Sequence, residues 1–207
     1  TVVLVRAVYG GSESDVAMAL AAFGLGSMAS ALALPHLLEQ VADRRVMTTA
    51  AALLAALTLG HAILWQASGP VGWAALLGLW AMTGLLYSAV LTPSGRLLRR
   101  SAHAEDRPSV FAAQFALSHA CWLLAYPMAG WVGEAAGLPI ALLALAILAA
   151  LGVLIGFSVW PASDPSVVAH RHPELSPGHP HLAGAHSTRH EHRFVIDDLH
   201  HDWPNVP

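Results

Sequence analysis

The residues with the most chemistry to offer lie at the carboxy-terminal end. There the stretch HRHPELSPGHPHLAGAHSTRHEHRFVIDDLHHDWP holds nine of the chain's thirteen histidines. Three His-x-His pairs stand out, His170/His172, His179/His181 and His190/His192, and His200 and His201 follow side by side. In an extended chain residues i and i+2 point to the same side, so each pair presents two imidazoles to one ion. Asp197 and Asp198 offer oxygen ligands close by. With no cysteine in this stretch, the donors suit Zn(II), Ni(II), Co(II) or Cu(II) rather than Cu(I). The order of a folded zinc module is missing, so the sequence suggests a loose site shared between pairs. Two other readings stay open. A His- and Pro-rich tract can be plain disordered polymer. Nine imidazoles would also carry a tail with three arginines and six acids from net negative to net positive on acidification. The last segment, with Phe194, Val195, Ile196, Leu199 and Trp203, is too apolar for a solvated terminus and predicts docking against protein or a membrane interface.

A second set of polar residues is scattered through apolar sequence. Arg6 stands alone as a charge within an apolar run, and burial at a bilayer centre costs at least about 2.5–3.5 kcal/mol. It either meets an anionic group in a pathway or snorkels to headgroups, and the nearby Tyr9 and Gly10 favour snorkelling. Gln114 and Ser118 are i, i+4 neighbours, and His119, Trp122 and Tyr126 form a strip at i, i+3, i+7. Such a strip faces protein or a wet cavity. His119 could relay protons or hold a substrate, or it could be an interhelical clamp. Gly24, Gly26, Ser27 and Ser30 form a small-residue stripe suited to close helix packing.

The elements that position these residues follow from composition. The chain has 207 residues, of which 56% are hydrophobic and 11% charged, at a mean hydropathy of +0.55. A soluble domain carries about 25% charged residues. A net charge of −3 has the wrong sign for nucleic acid, and the single Cys121 excludes a disulfide framework or a multi-thiolate metal site. Five apolar runs, 16–38, 46–66, 72–91, 111–132 and 138–160, each reach the length of roughly 20 residues that a spanning helix needs. None contains Arg, Lys, Asp or Glu. Residues 1–10 read as the end of a further helix, without the features of a signal peptide, so the chain is expected to begin partway through a longer protein. The sequence therefore predicts an all-α membrane domain over 1–160 and a largely disordered His-rich tail over 161–207. Loops 10–15, 67–70 and 133–137 lack Arg, whereas the alternate loops hold Arg44, Arg45, Arg96, Arg99, Arg100 and Arg107. This asymmetry predicts that the Arg-bearing loops and the tail are cytoplasmic. Arg96, Arg99 and Arg100 follow Pro93-Ser94-Gly95 and could form an amphipathic turn at an anionic leaflet.

A cytoplasmic Asp-Arg-Arg turn between two helices, in LLEQVADRRVM, with short outer loops and a Gly-patterned first full helix, resembles the major facilitator superfamily. The likeness covers residues 1–160 as the carboxy-terminal half, from the end of helix 7 through helix 12. It implies a helical bundle that is half of a 6+6 fold, with a missing amino-terminal six-helix half as partner. It implies that Asp43, Arg44 and Arg45 act as a conformational latch. It also implies that Arg6, Thr83, Tyr87, Gln114 and His119 are candidates for the transport pathway.

The function implied is secondary transport by alternating access in a plasma (inner) membrane, as proton-coupled efflux of a small molecule or ion. A divalent metal or a drug or metabolite would be the cargo, since some metal exporters of that family have His-rich termini. No carboxylate lies inside the five runs, so the coupling acid would sit in the other half, or His119 would replace it. The alternative is a non-transporting membrane sensor or interaction protein with a metal- or pH-responsive tail. An enzyme is not expected, because no nucleophile–base pair is present. No resident cofactor is expected beyond a divalent metal on the tail.

Overall fold

The computed structural model describes residues 1–165, 167–176, 178–183 and 188–203. His186, within the tail, lies outside the described residues. Among the described residues seven α-helices run in order: α1 (Val2–Tyr9), α2 (Glu13–Gln40), α3 (Asp43–Ser68), α4 (Trp73–Leu91), the short α5 (Ser94–Arg100), α6 (Arg107–Ala136) and α7 (Leu138–Val159). Five helical stretches are long and apolar enough to cross a membrane, with α4 and α5 together forming one from Trp73 to Arg100.

Helix α2 extends beyond its apolar run because polar residues cap it. Ser12 and Asp15 form a capping box, in which the Ser12 N–H donates to Asp15 Oδ2 at 2.7 Å and the Asp15 N–H to Ser12 Oγ at 3.3 Å. The helix expected over 16–38 therefore starts at Glu13, and that expected over 111–132 runs from Arg107 to Ala136.

Helix α2 packs along α4, and the contact is backbone on backbone. A Cβ added to Gly26 would lie 1.8 Å from the Ala81 carbonyl oxygen, and one at Gly84 would lie 2.0 Å from that of Phe23. Gly24, in the same stripe, faces open space. The buried face of α2 continues through Ala19, Ser30 and Leu34. Leu34, Val46, Ala50, Leu86 and Ala89 then form a cluster that joins α2, α3 and α4 toward the Arg-rich end. Helix α3 packs on α4 and α7, and α6 packs on α7. Helix α6 buries no residue, and Leu123 and Trp131 are more than three-quarters exposed on it. An apolar surface of this extent fits hydrocarbon or a partner bundle, not water.

The described residues of the tail include short elements of regular structure. Strand β1 (Val167–Arg171) pairs antiparallel with β2 (Arg189–Arg193), and Pro180–Leu182 form one 3₁₀ turn. The register sets His170 opposite His190 and Val168 opposite His192. Directly opposite residues share a face, so Val168, His170, His190 and His192 lie together, and the i+2 rule adds His172 and Phe194. Val168, Phe194 and Ile196 form a small core covered by Trp203. The polar composition hides a two-residue period, and that period supplies one apolar-to-imidazole face.

Candidate functional site

Six imidazoles converge above this face. His200 Nε2 lies 2.9 Å from His170 Nε2 and 3.2 Å from His172 Nε2. His181 Nε2 lies 3.0 Å from His190 Nε2 and 3.3 Å from His192 Nε2. Two overlapping sets, His170/His172/His181/His200 and His170/His181/His190/His192, each hold four ligand atoms within 4.8 Å of one another.

The outer nitrogens are tied down. His170 Nδ1 faces the Val168 carbonyl at 2.9 Å and His192 Nδ1 the Arg193 carbonyl at 2.8 Å. His172 Nδ1 lies 2.8 Å from Glu174 Oε1, and His200 Nδ1 lies 2.7 Å from Asp197 Oδ1. A carbonyl only accepts, so the proton of each neutral ring sits on Nδ1 and the Nε2 lone pair points inward.

The structure draws on the three pairs unequally. His170/His172 and His190/His192 contribute as whole pairs. From His179/His181 only His181 enters, because the His179 ring turns away to accept the His181 backbone N–H at 3.2 Å. His200, which belongs to no His-x-His pair, takes the vacated place. The local signal for it is Asp197 three residues earlier, whose side chain caps a turn by accepting the Leu199 N–H at 3.0 Å. Asp197 orients His200 and stands outside both four-histidine sets, and Asp198 is exposed.

Crowding shapes the charge of the cluster. His181 is pushed down to about 4, first by lost hydration and then by the neighbouring imidazoles His192, His200, His172 and His190. His170 and His190 are lowered first by lost hydration, with neighbouring imidazoles adding to the shift and a backbone contact opposing it. Asp197 is held below the usual carboxylate range: burial works against this, but the hydrogen bonds from His200 and the Leu199 N–H outweigh it. Near neutral pH these three rings are therefore uncharged donors.

A second constellation lies beneath the tail, at the Arg-rich end. Asp43, the first residue of α3 and only 6% exposed, accepts Arg96 of α5 through Nε at 3.1 Å and through Nη2. Arg44 Nε donates to the Trp160 carbonyl at 3.1 Å, tying α3 to the end of α7. Arg100 Nη2 lies 2.7 Å from both Asp164 oxygens, and Trp160 Nε1 donates to the same carboxylate at 2.8 Å. Arg45 and Arg99 are exposed. Arg96 and Arg100 were expected at a lipid surface. They turn inward because Asp43 and Asp164 lie within reach and a partly buried charge needs a partner.

The tail docks on this junction. The Ile196 N–H donates to the Arg100 carbonyl at 2.9 Å, and the Arg100 guanidinium sits 5.1 Å from the centroid of the Trp203 ring. Arg193 of β2 joins Asp43, Arg44, Arg96, Arg100 and Asp164 around a cavity of about 140 Å³.

The expected pathway residues do not gather. Arg6 pairs with Glu13 at 3.0 Å between half- and fully exposed side chains at the far end of α1. The Thr83 hydroxyl donates to the Leu79 carbonyl of its own helix at 2.8 Å. Tyr87 is 45% exposed, with its ring 5.7 Å from that of Phe23. On α6, Gln114 is half-buried, and His119 lies between Phe115 at 3.9 Å and Trp122 at 4.2 Å, with Nδ1 on the Phe115 carbonyl. Trp122 in turn meets Tyr126 at 5.6 Å, so the strip is one aromatic ladder along a helix that buries nothing.

No curated protein and no solved structure matches the chain. The model of one family, described as the Major Facilitator Superfamily, matches residues 1–194, which takes in every helix and both strands of the tail. Multi-pass helices, short connections and an ion-paired turn between α2 and α3 agree with that match, and the chain belongs to the Major Facilitator Superfamily of membrane transporters.

Proposed function

We propose that this chain is the carboxy-terminal six-helix half of a secondary transporter that expels a small solute in exchange for protons, with the Arg-rich end and the tail on the cytoplasmic side of the plasma membrane. One observation carries the reading: the buried Asp43–Arg96 pair joins α3 to α5 where alternating access requires a junction that opens and closes. A pair of this kind is bistable, because separating it exposes a charge that only water can then satisfy. The polar and aromatic strip of α6, with Gln114 and His119, and the Tyr87 side of α4 then face the pathway against the amino-terminal half, while Thr83 lines it by its methyl. Arg6, beside Glu13, belongs to the outer rim. The cargo is a divalent metal ion or a drug or metabolite.

The test uses proteoliposomes carrying the whole protein that contains this chain, energised by an imposed pH gradient. Uptake of Ni(II), Co(II), Zn(II) or a cationic dye is expected to follow the gradient and to fall at least tenfold in Asp43→Asn. Gradient-independent leakage for every solute overturns the reading. A second reading, a non-transporting sensor, is favoured by the docking of Ile196 and Trp203 on Arg100. It predicts no flux but a tail whose protease sensitivity responds to ligand.

A further inference from the structure

We propose that the six imidazoles of His170, His172, His181, His190, His192 and His200 form a binding site for a single divalent first-row transition-metal ion, built by the fold of the tail and independent of whatever the bundle transports. The argument starts from the inward lone pairs. Four rings have Nδ1 on an oxygen that only accepts, so their Nε2 atoms carry no proton when neutral. His170, His172 and His200 nevertheless set these bare nitrogens 2.9 and 3.2 Å apart. Two lone pairs at that distance repel, and among the described residues no other group donates between them. A cation at the centre converts the repulsion into ligation.

The dimensions agree. Zinc–imidazole bonds of about 2.0–2.1 Å place neighbouring nitrogens about 3.3 Å apart in a tetrahedron. The four short Nε2 separations here are 2.9 to 3.3 Å. The outer shell is also that of a metal site, since imidazoles ligating a metal hand their other N–H to a carboxylate or carbonyl. Asp197 and Glu174 do this for His200 and His172, and backbone carbonyls do it for His170 and His192. All-nitrogen, cysteine-free coordination selects Zn(II), Ni(II), Co(II) or Cu(II).

One ion binds at a time. Both four-histidine sets need His170, whose only free nitrogen is Nε2, so it cannot bridge two ions. The ion would fasten residues 30 positions apart, His170 and His200, into the hairpin that covers Arg100.

The experiment uses the full chain in lipid nanodiscs, stripped with chelator and titrated calorimetrically with Zn(II), Ni(II) and Co(II) chlorides, with metal content counted after desalting. One ion per chain is expected. His200→Gln, which leaves both strands intact, should weaken binding at least tenfold although His200 belongs to no pair. Asp197→Asn should weaken it about 10-fold or more through its loss of orientation. His179→Gln should leave affinity unchanged within twofold. Hydrogen exchange of β1 and β2 without metal checks that each variant keeps its hairpin. Where His200→Gln loses the hairpin, the absorption spectrum of bound Co(II) in Asp197→Asn decides, since a built site gives a changed nitrogen-ligated spectrum. Equal losses for His179→Gln and His200→Gln would mean a His-rich polymer without a defined site and would overturn the proposal. So would two ions per chain that are both lost in the double variant His170→Gln/His181→Gln, or a titration that this double variant leaves unchanged.

Discussion

The membrane bundle and the tail solve the same problem in opposite ways. In the bundle, α2 and α4 come together by having little between them: Gly26 and Gly84 let the two backbones touch, and the nearest atoms that each would meet are backbone. In the tail, β1 and β2 come together around polar side chains, six imidazoles whose mutual repulsion the hairpin must bear. Between them lies the Asp43–Arg96 and Arg100–Asp164 junction, where charge is buried and paired. Steric fit in the bundle does not depend on pH, salt or metal, whereas imidazoles by their chemistry take up protons and ligate metal ions. A chain assembled this way keeps a fixed frame and places its responsive chemistry at one end.

The largest effect should come from filling the glycine contact. Gly84→Leu cannot be absorbed by a rotamer change, because the atoms it meets are the backbone of Phe23. Overpacking a core costs about 1–3 kcal/mol, and overlap with backbone lies at or above the upper end. Thermal unfolding in detergent, followed by α-helical circular dichroism, should show a drop of ten degrees or more, while Gly24→Leu, facing open space, leaves the midpoint near that of the parent. Equal behaviour of the two variants would remove the distinction between a contact made by backbone and an ordinary apolar surface.

The junction should rank next. Asp43→Asn removes the charge but keeps the shape, leaving Arg96 with a neutral acceptor in a partly buried place. Breaking a fully buried pair costs about 3–5 kcal/mol; because Arg96 retains a third of its exposure, about 1–3 kcal/mol is expected here. Arg6→Gln, at the exposed pair with Glu13, should cost no more than about 0.5 kcal/mol. Denaturation midpoints of the two variants measured side by side check the contrast, and an equal cost would mean that burial of Asp43 is not what gives the junction its weight.

Much of this arrangement can be read in the residues, and what escapes reading has a physical reason. The five spanning stretches are legible because a bilayer demands one long apolar run per crossing, and the Asp43-Arg44-Arg45 turn is legible as a local motif. The partner of Asp43 is not. Arg96 lies 53 residues away on α5, and its ion pair exists only because α2, α3 and α4 converge. Likewise the stripe Gly24, Gly26, Ser27, Ser30 signals close packing but does not reveal which glycine meets Ala81. In the tail, i, i+2 parity correctly groups His170 with His172 and His190 with His192, since parity is a property of any strand. It misleads at His179, which lies at the entry to a 3₁₀ turn rather than in a strand, and it is silent on His200, which a turn brings back.

The smallest effect, and the one that separates the two regions most cleanly, is the response of the metal-free hairpin to acid. His181 faces His170, His172, His190, His192 and His200, with Glu174 and Asp197 on the outer nitrogens of His172 and His200. The pKa of His181 falls to about 4 in the folded tail, and those of His170 and His190 fall as well, against about 6.5 for an unperturbed imidazole. The unfolded tail then binds more protons than the folded one at every pH between these values. Folding of the hairpin should be at full strength above about 6.5 and weaken steadily as pH falls toward about 4, where the imidazole contribution ends; protonation of Asp197, held below its ordinary range, adds a further loss at lower pH. Hydrogen exchange of the β1 and β2 amides in chelator, corrected for intrinsic rate, should lose protection through that interval. The amides of α2 and α4 beside Gly26 and Gly84, where the nearest atoms across the contact are backbone, should keep theirs. If both regions lost protection together, the hairpin would be part of the bundle's cooperative unit, and the division between a fixed frame and a responsive end would fail. If neither changed, the imidazoles would be relaxing into solvent as they charge, and their crowding would have no energetic consequence for the fold.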